Sequence, residues 1–153
     1  MTKILFVCLG NICRSPMAEY IMKDLVKKEG VAGEFFIASA ASCADEIGNP
    51  VYPPAKKKLA QHGIDCSEKR ARLLTREDYD SFDLLIGMEE SNLRRMRNIC
   101  NGDPEGKMHL LLDYTDRPGG IADPWYTDDF DTAWNDIELG CRGLLAFLRR
   151  NRD

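Results

Sequence analysis

The chain has 153 residues, with 21 Lys and Arg against 25 Asp and Glu, a formal net charge of -4 and a sequence pI near 5.3. That balance argues against general nucleic-acid binding, and no stretch approaches the roughly 20 consecutive apolar residues a membrane span needs. Hydrophobic content of 44% and charged content of 30% are ordinary for a globular protein, and the length predicts one domain, residues 1–153, with a sizeable core.

The first apolar run, Ile4 to Leu9, is too short for a secretion signal and is broken by Gly10 and Asn11. Six cysteines without such a signal predict reduced thiols and a cytoplasmic protein. Lys3-Ile4-Leu5-Phe6-Val7-Cys8 reads as a buried strand, being β-branched and aromatic throughout. Ser15 is a good N-cap and Pro16 suits the first helical position, so a helix is expected to open there. Its apolar face is Met17, Tyr20, Ile21 and Leu25, and Gly30 closes it.

The loop between strand and helix, Leu9-Gly10-Asn11-Ile12-Cys13-Arg14-Ser15, can do chemistry. Backbone N–H groups curling ahead of a helix N-terminus form an anion cradle. Gly10 and Asn11 are the residues that most easily take the left-handed conformations such a curl uses. Arg14 offers a planar fork matched to two phosphate oxygens. Cys8 faces the same cradle, an environment that can lower a cysteine pKa from about 8.5 to roughly 3.5–7.5. One segment therefore supplies a nucleophile and an oxyanion clamp. Cys8 and Cys13 are poorly spaced for zinc, with no histidine nearby, and neither metal nor cofactor is expected.

Further along, Phe35 to Ala38 reads as a second strand and Ser39 to Pro54 as a loop, long enough to be functional. A helix over Ala55 to Gln61 carries Lys56, Lys57 and Lys58 on a solvated face, and Gly63 stops it; His62 reads as structural. Residues 66 to 74 show no clear period. Thr75 caps a short helix with acids in its first turn. Asp83 to Met88 is a third strand, Glu90 to Ile99 a helix with surface Arg94, Arg95 and Arg97, and Met108 to Leu112 a fourth strand. Residues 113 to 128 form a second long loop rich in Asp, Pro and Gly. Phe130, Trp134, Ile137, Cys141, Leu144, Leu145 and Leu148 then mark the core stripe of a final helix.

Alternating strands and helices with right-handed crossovers predict an α/β, doubly wound parallel sheet with helices on both faces. Ligands bind such sheets at the carboxyl ends of strands, where the Cys8 loop lies. Phosphate-ester cleavage with a cysteine nucleophile needs a proton donor for the leaving oxygen. Asp123 is one candidate, with its backbone restricted by Pro124; Asp113, Asp116, Asp128, Asp129 and Asp131 share that region of the sequence.

Cys8-Leu9-Gly10-Asn11-Ile12-Cys13-Arg14-Ser15-Pro16 resembles the phosphate loop of the low-molecular-weight protein tyrosine phosphatases. The resemblance extends over essentially the whole chain, through Ser39-Ala40-Ala41, Glu46-Ile47-Gly48-Asn49-Pro50, His62-Gly63-Ile64, Met88-Glu89-Glu90-Ser91-Asn92 and Asp123-Pro124-Trp125-Tyr126. It implies a four-stranded parallel sheet and a metal-independent reaction. Cys8 attacks phosphorus, Arg14 and residues Leu9 to Ser15 hold the phosphate, and Asp123 acts as general acid and then base. A cysteinyl-phosphate forms between the two steps. Ser15 stabilises the Cys8 thiolate and Asn11 holds the loop shape.

The implied substrates are phosphotyrosine-bearing proteins or peptides and small aryl phosphates, with inorganic phosphate or vanadate as inhibitors and the protein a monomer. The substrate mouth is assigned to Ile12, Asp45, Glu46, Asn49, Trp125 and Tyr126, and Cys8 with Cys13 to a reversible redox pair. Two departures stand out. Asp45 occupies a position where the family often has an aromatic residue, and Glu68-Lys69-Arg70 lacks a loop-supporting histidine, a role expected to pass in part to Arg72. A thiol-dependent arsenate reductase of the same fold, or a catalytically silent phosphotyrosine-binding module, are the competing readings. The first lacks the paired cysteines it needs near the third strand, and the intact Cys8, Arg14 and Asp123 oppose the second.

Overall fold

In the computed structural model, which describes residues 1–151, four strands form one parallel sheet in the order β2-β1-β3-β4. The strands are β1 (Thr2–Cys8), β2 (Phe35–Ala41), β3 (Leu84–Gly87) and β4 (Met108–Leu110). The helices are α1 (Arg14–Lys28), α2 (Pro53–Gln61), α3 (Arg76–Ser81), α4 (Glu90–Cys100), α5 (Pro124–Thr127) and α6 (Phe130–Arg150). The doubly wound α/β fold is the one expected.

The pleat of β1 sorts its side chains between two cores. Ile4, Phe6 and Cys8 join the larger one, beneath α1, α2 and α6; Leu5 and Val7 join the other, beneath α3 and α4. Both faces are covered, which is why β1 reads as an unbroken apolar run. All three strand pairings are parallel, with Cys8 opposite Ala41 and Val7 opposite Gly87. Because β1 lies between β2 and β3, the chain changes direction across the sheet at β1. Its carboxyl end is the topological switch point, where ligands bind such sheets.

The α6 stripe is core, as expected: Phe130, Trp134, Ile137, Cys141, Leu144 and Leu145 are buried and Leu148 packs against them. Gly140 and Gly143 let this helix approach the 3-10 turn Leu111–Tyr114 closely. A Cβ on them would meet the Leu111 side chain at 2.4 Å and the Tyr114 carbonyl oxygen at 2.3 Å. That turn corrects one expectation, because β4 ends at Leu110 and not at Leu112. Strand β2 runs on to Ala41, so the loop expected from Ser39 begins after it. Helix α1 starts at Arg14 with Cys13 as its N-cap, two positions ahead of the expected Ser15 cap. Pro16 is still accommodated, since the first-turn N–H groups have no intrahelical acceptor. The stretch 66–74 holds no named helix or strand; it carries two isolated bridges, Ala41 to Leu73 and Pro50 to Arg70. His62 stacks on Trp134 with ring centroids 4.1 Å apart, a packing role as expected. Among the described residues no helix is long and apolar enough to cross a membrane.

Candidate active site

The loop from Leu9 to Cys13 leaves β1 and enters α1 through one left-handed residue, Asn11, at φ 58°. Its side-chain amide locks that conformation. Nδ2 donates to Ser15 Oγ at 2.8 Å and to Ser39 Oγ at 2.9 Å, while Oδ1 accepts the Arg72 backbone N–H at 3.2 Å. Gly10, expected to share the left-handed role, does not adopt it. Its value is space: a Cβ there would come within 3.3 Å of Glu46 Cγ. Among the described residues, the backbone N–H groups of Gly10, Asn11, Ile12 and Cys13 have no protein acceptor. These are donors left over for an anion.

Cys8 ends β1 at the base of this loop, 3% exposed. Its sulfur lies 3.0 Å from Ser15 Oγ and 3.4 Å from the Ser15 backbone N–H. Because Ser15 Oγ already accepts from Asn11, its own proton is free to point at the sulfur. The support continues outward through Ser39 Oγ, which donates to Glu19 Oε1 at 2.5 Å. Glu19 is itself buried and held by Lys23 at 2.6 Å and Lys69 at 3.6 Å. Lys69 also donates to the Ser39 carbonyl at 3.0 Å. Burial lowers its ammonium below the ordinary lysine value, with Glu19 opposing the shift. Lys69 thus provides support expected from Arg72, whose guanidinium turns away to Asp78 at 2.9 Å and contributes only its backbone N–H to the loop.

Arg14 is the largest fully buried side chain among the described residues, 2% exposed. Nη1 donates to the Glu89 carboxylate and to the Ile121 carbonyl at 2.8 Å, and Nη2 donates to Asp123 Oδ2 at 3.2 Å. Nε is buried without a partner. Asp123 is the N-cap of α5, a short helix inside what the sequence reads as loop. Its Oδ1 accepts the Trp125 N–H at 3.0 Å, which aims Oδ2 back at Arg14.

These groups enclose a cavity of about 150 Å³. The loop side presents Cys8, Leu9, Gly10, Ile12, Cys13 and Arg14; Asp123, Trp125 and Tyr126 close it from α5; Cys43, Asp45 and Glu46 form the third side. Asn11 and Ser15 lie beneath the cavity and do not line it. Asn49, assigned to the mouth, does not line it either: it is exposed, and its amide donates to Glu46 Oε2 at 2.6 Å. Cys13 is buried, and its thiol is pushed well above its ordinary value, first by burial and then by the charges of Cys8 and Asp123.

The sequence reading gave no site role to Glu89, Glu19, Ser39, Cys43 or Tyr52. Glu89 carried a usable signal, since it follows β3 at the carboxyl edge of the sheet, beside the switch point. Tyr52 backs the Trp125 ring at a centroid distance of 4.7 Å, a contact between segments that sequence spacing does not reveal.

A family described as low molecular weight phosphotyrosine protein phosphatase matches residues 3–153. The chain is 36% identical over 154 residues to the low molecular weight protein-tyrosine-phosphatase YfkJ of Bacillus subtilis, covering 99% of both chains. It superposes on the crystal structure of that protein with a TM-score of 0.95, covering 100% of this chain and 98% of that one. It is 38% identical over 147 residues to the human low molecular weight phosphotyrosine protein phosphatase, covering 93% of this chain and 92% of that protein. A drosophila arginine phosphatase is also similar, at TM-score 0.86 and 31% identity, with 99% of each chain covered.

Proposed function

The chain belongs to the low molecular weight phosphotyrosine protein phosphatase family, and from that premise we propose that residues 1–153 act as one phosphatase unit with Cys8 as nucleophile, Arg14 as phosphate clamp and Asp123 as general acid and base. It is a protein tyrosine phosphatase, a phosphoric monoester hydrolase acting on phosphorylated proteins or aryl phosphates.

In the proposed cycle the phosphoryl oxygens take the N–H groups of the Leu9–Cys13 loop and the Arg14 fork. The Cys8 sulfur forms a bond to phosphorus as the bond to the phenolic oxygen breaks. Asp123 gives its proton to that oxygen, so a neutral phenol leaves. Water then attacks the cysteinyl-phosphate, its proton passes to Asp123, and the sulfur–phosphorus bond breaks to release inorganic phosphate. Ser15 supports the sulfur as it departs. Inorganic phosphate and vanadate, which fit the same cradle, act as inhibitors, and the protein works as a monomer.

The observation carrying this reading is the convergence of Cys8, Arg14 and Asp123 on one cavity, with the Cys8 sulfur 3.0 Å from Ser15 Oγ. The test is release of phosphate from phosphotyrosine by wild type and Cys8→Ser. Wild type should turn over and the variant should not, while vanadate still binds the variant. Substantial residual turnover would reject Cys8.

Arginine phosphate is the competing substrate, because the drosophila relative is described as an arginine phosphatase. The half-exposed Trp125 and apolar Ile12 favour a flat aromatic ester instead. Higher kcat/KM for phosphoarginine than for phosphotyrosine would reverse that assignment.

A further inference from the structure

The mouth of the cavity is charged in an unexpected sense for a site that takes a phosphate dianion. Asp45 and Glu46 both line it. Asp45 is exposed and has no ion-pair partner among the described residues. Glu46 packs against Gly10, and among the described residues its carboxylate meets only the neutral amide of Asn49. Among the described residues Arg14 is the only cation lining the cavity, and two of its nitrogens already face Glu89 and Asp123. Its Nε is buried without a partner.

Cations on the adjoining segment are committed elsewhere. Arg70 donates to the carbonyls of Ser67 and Lys69, Arg72 pairs with Asp78, and Lys69 lies beneath the loop on Glu19. A phosphate therefore reaches the cradle past two carboxylates that pair with no cation among the described residues. The opposite wall is aromatic, with Trp125 and Tyr126 49% and 76% exposed, and such faces attract ammonium and guanidinium groups.

We propose that Asp45 and Glu46 make this enzyme select phosphotyrosine peptides that carry lysine or arginine next to the phosphotyrosine. The inference rests on the phosphotyrosine phosphatase reading above and adds the class of sequence it prefers. Flanking cations would pair with the two carboxylates and lie on the aromatic wall while the phosphoryl group enters the cradle. An acidic flank would meet like charge at the same place.

The test compares two phosphotyrosine peptides that differ only in lysine or glutamate on either side of the phosphotyrosine, with free phosphotyrosine as reference. At low ionic strength kcat/KM should favour the lysine peptide about fivefold, the scale of exposed ion pairs. The ratio should shrink towards one in about 1 M salt, where the screening length is roughly 3 Å, and should fall or invert in Asp45→Lys. Equal ratios in wild type, preference for the glutamate peptide, or a ratio unmoved by Asp45→Lys would overturn the proposal. Turnover of free phosphotyrosine with equal peptide ratios would overturn this inference alone. No turnover of free phosphotyrosine would overturn the underlying reading as well.

Discussion

Tyr52 stands between the two walls of the cavity. Its backbone N–H donates to the Ile12 carbonyl at 2.8 Å, and its ring lies 4.7 Å from Trp125 and 6.1 Å from Phe130. It therefore ties the phosphate loop to the aromatic side of the mouth. The Trp125 ring makes no hydrogen bond among the described residues, so packing sets its orientation.

Replacing Tyr52 with Leu keeps the backbone tie and removes the ring. Aromatic pairs contribute about 0.5–1.5 kcal/mol beyond area burial, so KM for phosphotyrosine peptides should rise about threefold, with kcat and the inhibition constant of inorganic phosphate little changed. A parallel rise in the phosphate constant would show that the loop, and not the wall, was disturbed.

Asp123 spends one carboxylate oxygen on the Trp125 N–H and the other on Arg14 Nη2. In the proposed cycle a phosphoryl group on the Arg14 fork would displace the second contact and leave that oxygen facing the ester. Asp123→Asn keeps the size but cannot deliver a proton. It should lower kcat by about 10²- to 10⁴-fold for phenyl phosphates with basic leaving groups, and much less for aryl phosphates whose phenols are acidic. Equal losses across a leaving-group series would remove Asp123 from the acid role.

How far the sequence revealed this site depends on whether a residue's role is local. The Cys8 loop follows from a strand, a curl and a helix start that are contiguous, and the switch point follows from alternation of strands and helices. Asn11 could be read as left-handed because its own backbone preference suggests it. Gly10 could not be read correctly, since its small size answers to Glu46, which is distant in sequence and adjacent only in the fold. The same holds for Glu19, whose burial makes sense only once Ser39, Lys23 and Lys69 surround it. By spacing alone Asp123 was one acid among several; the resemblance carried by Asp123-Pro124-Trp125-Tyr126 singled it out, and α5 makes it an N-cap.

The Arg72–Asp78 pair offers a pH test of the loop's outer support. Burial alone would raise the Asp78 carboxyl, but hydrogen bonds from Arg72 and from the Thr75 N–H outweigh it and hold it below its ordinary value. A depressed folded-state value means the carboxylate contributes stability above the unfolded value, and that contribution is lost as pH falls through the folded one. Asp78→Asn should therefore lower Tm at neutral pH. The gap between wild type and variant should close from about pH 4 downwards as the wild-type carboxyl protonates. A gap that stayed constant into acid would assign the loss to packing, not to charge.

Cys13 lines the same cavity as Cys8 and tests the redox expectation. On that expectation, peroxide would oxidise the Cys8 thiolate to a sulfenic acid with loss of hydroxide. The Cys13 sulfur would then attack the Cys8 sulfur, forming a disulfide with loss of water and halting further oxidation. Burial and the charges of Cys8 and Asp123 hold the Cys13 thiol well above its ordinary value, so it is protonated in the resting enzyme. Conversion of Cys8 to the neutral sulfenic acid removes one of those charges while burial remains. Disulfide formation should therefore be slow at neutral pH and accelerate as pH rises. After a peroxide pulse, dithiol reductant should restore wild-type activity well and Cys13→Ser activity poorly, with the difference widening at higher pH. Equal recovery of the two proteins would take Cys13 out of the redox pair.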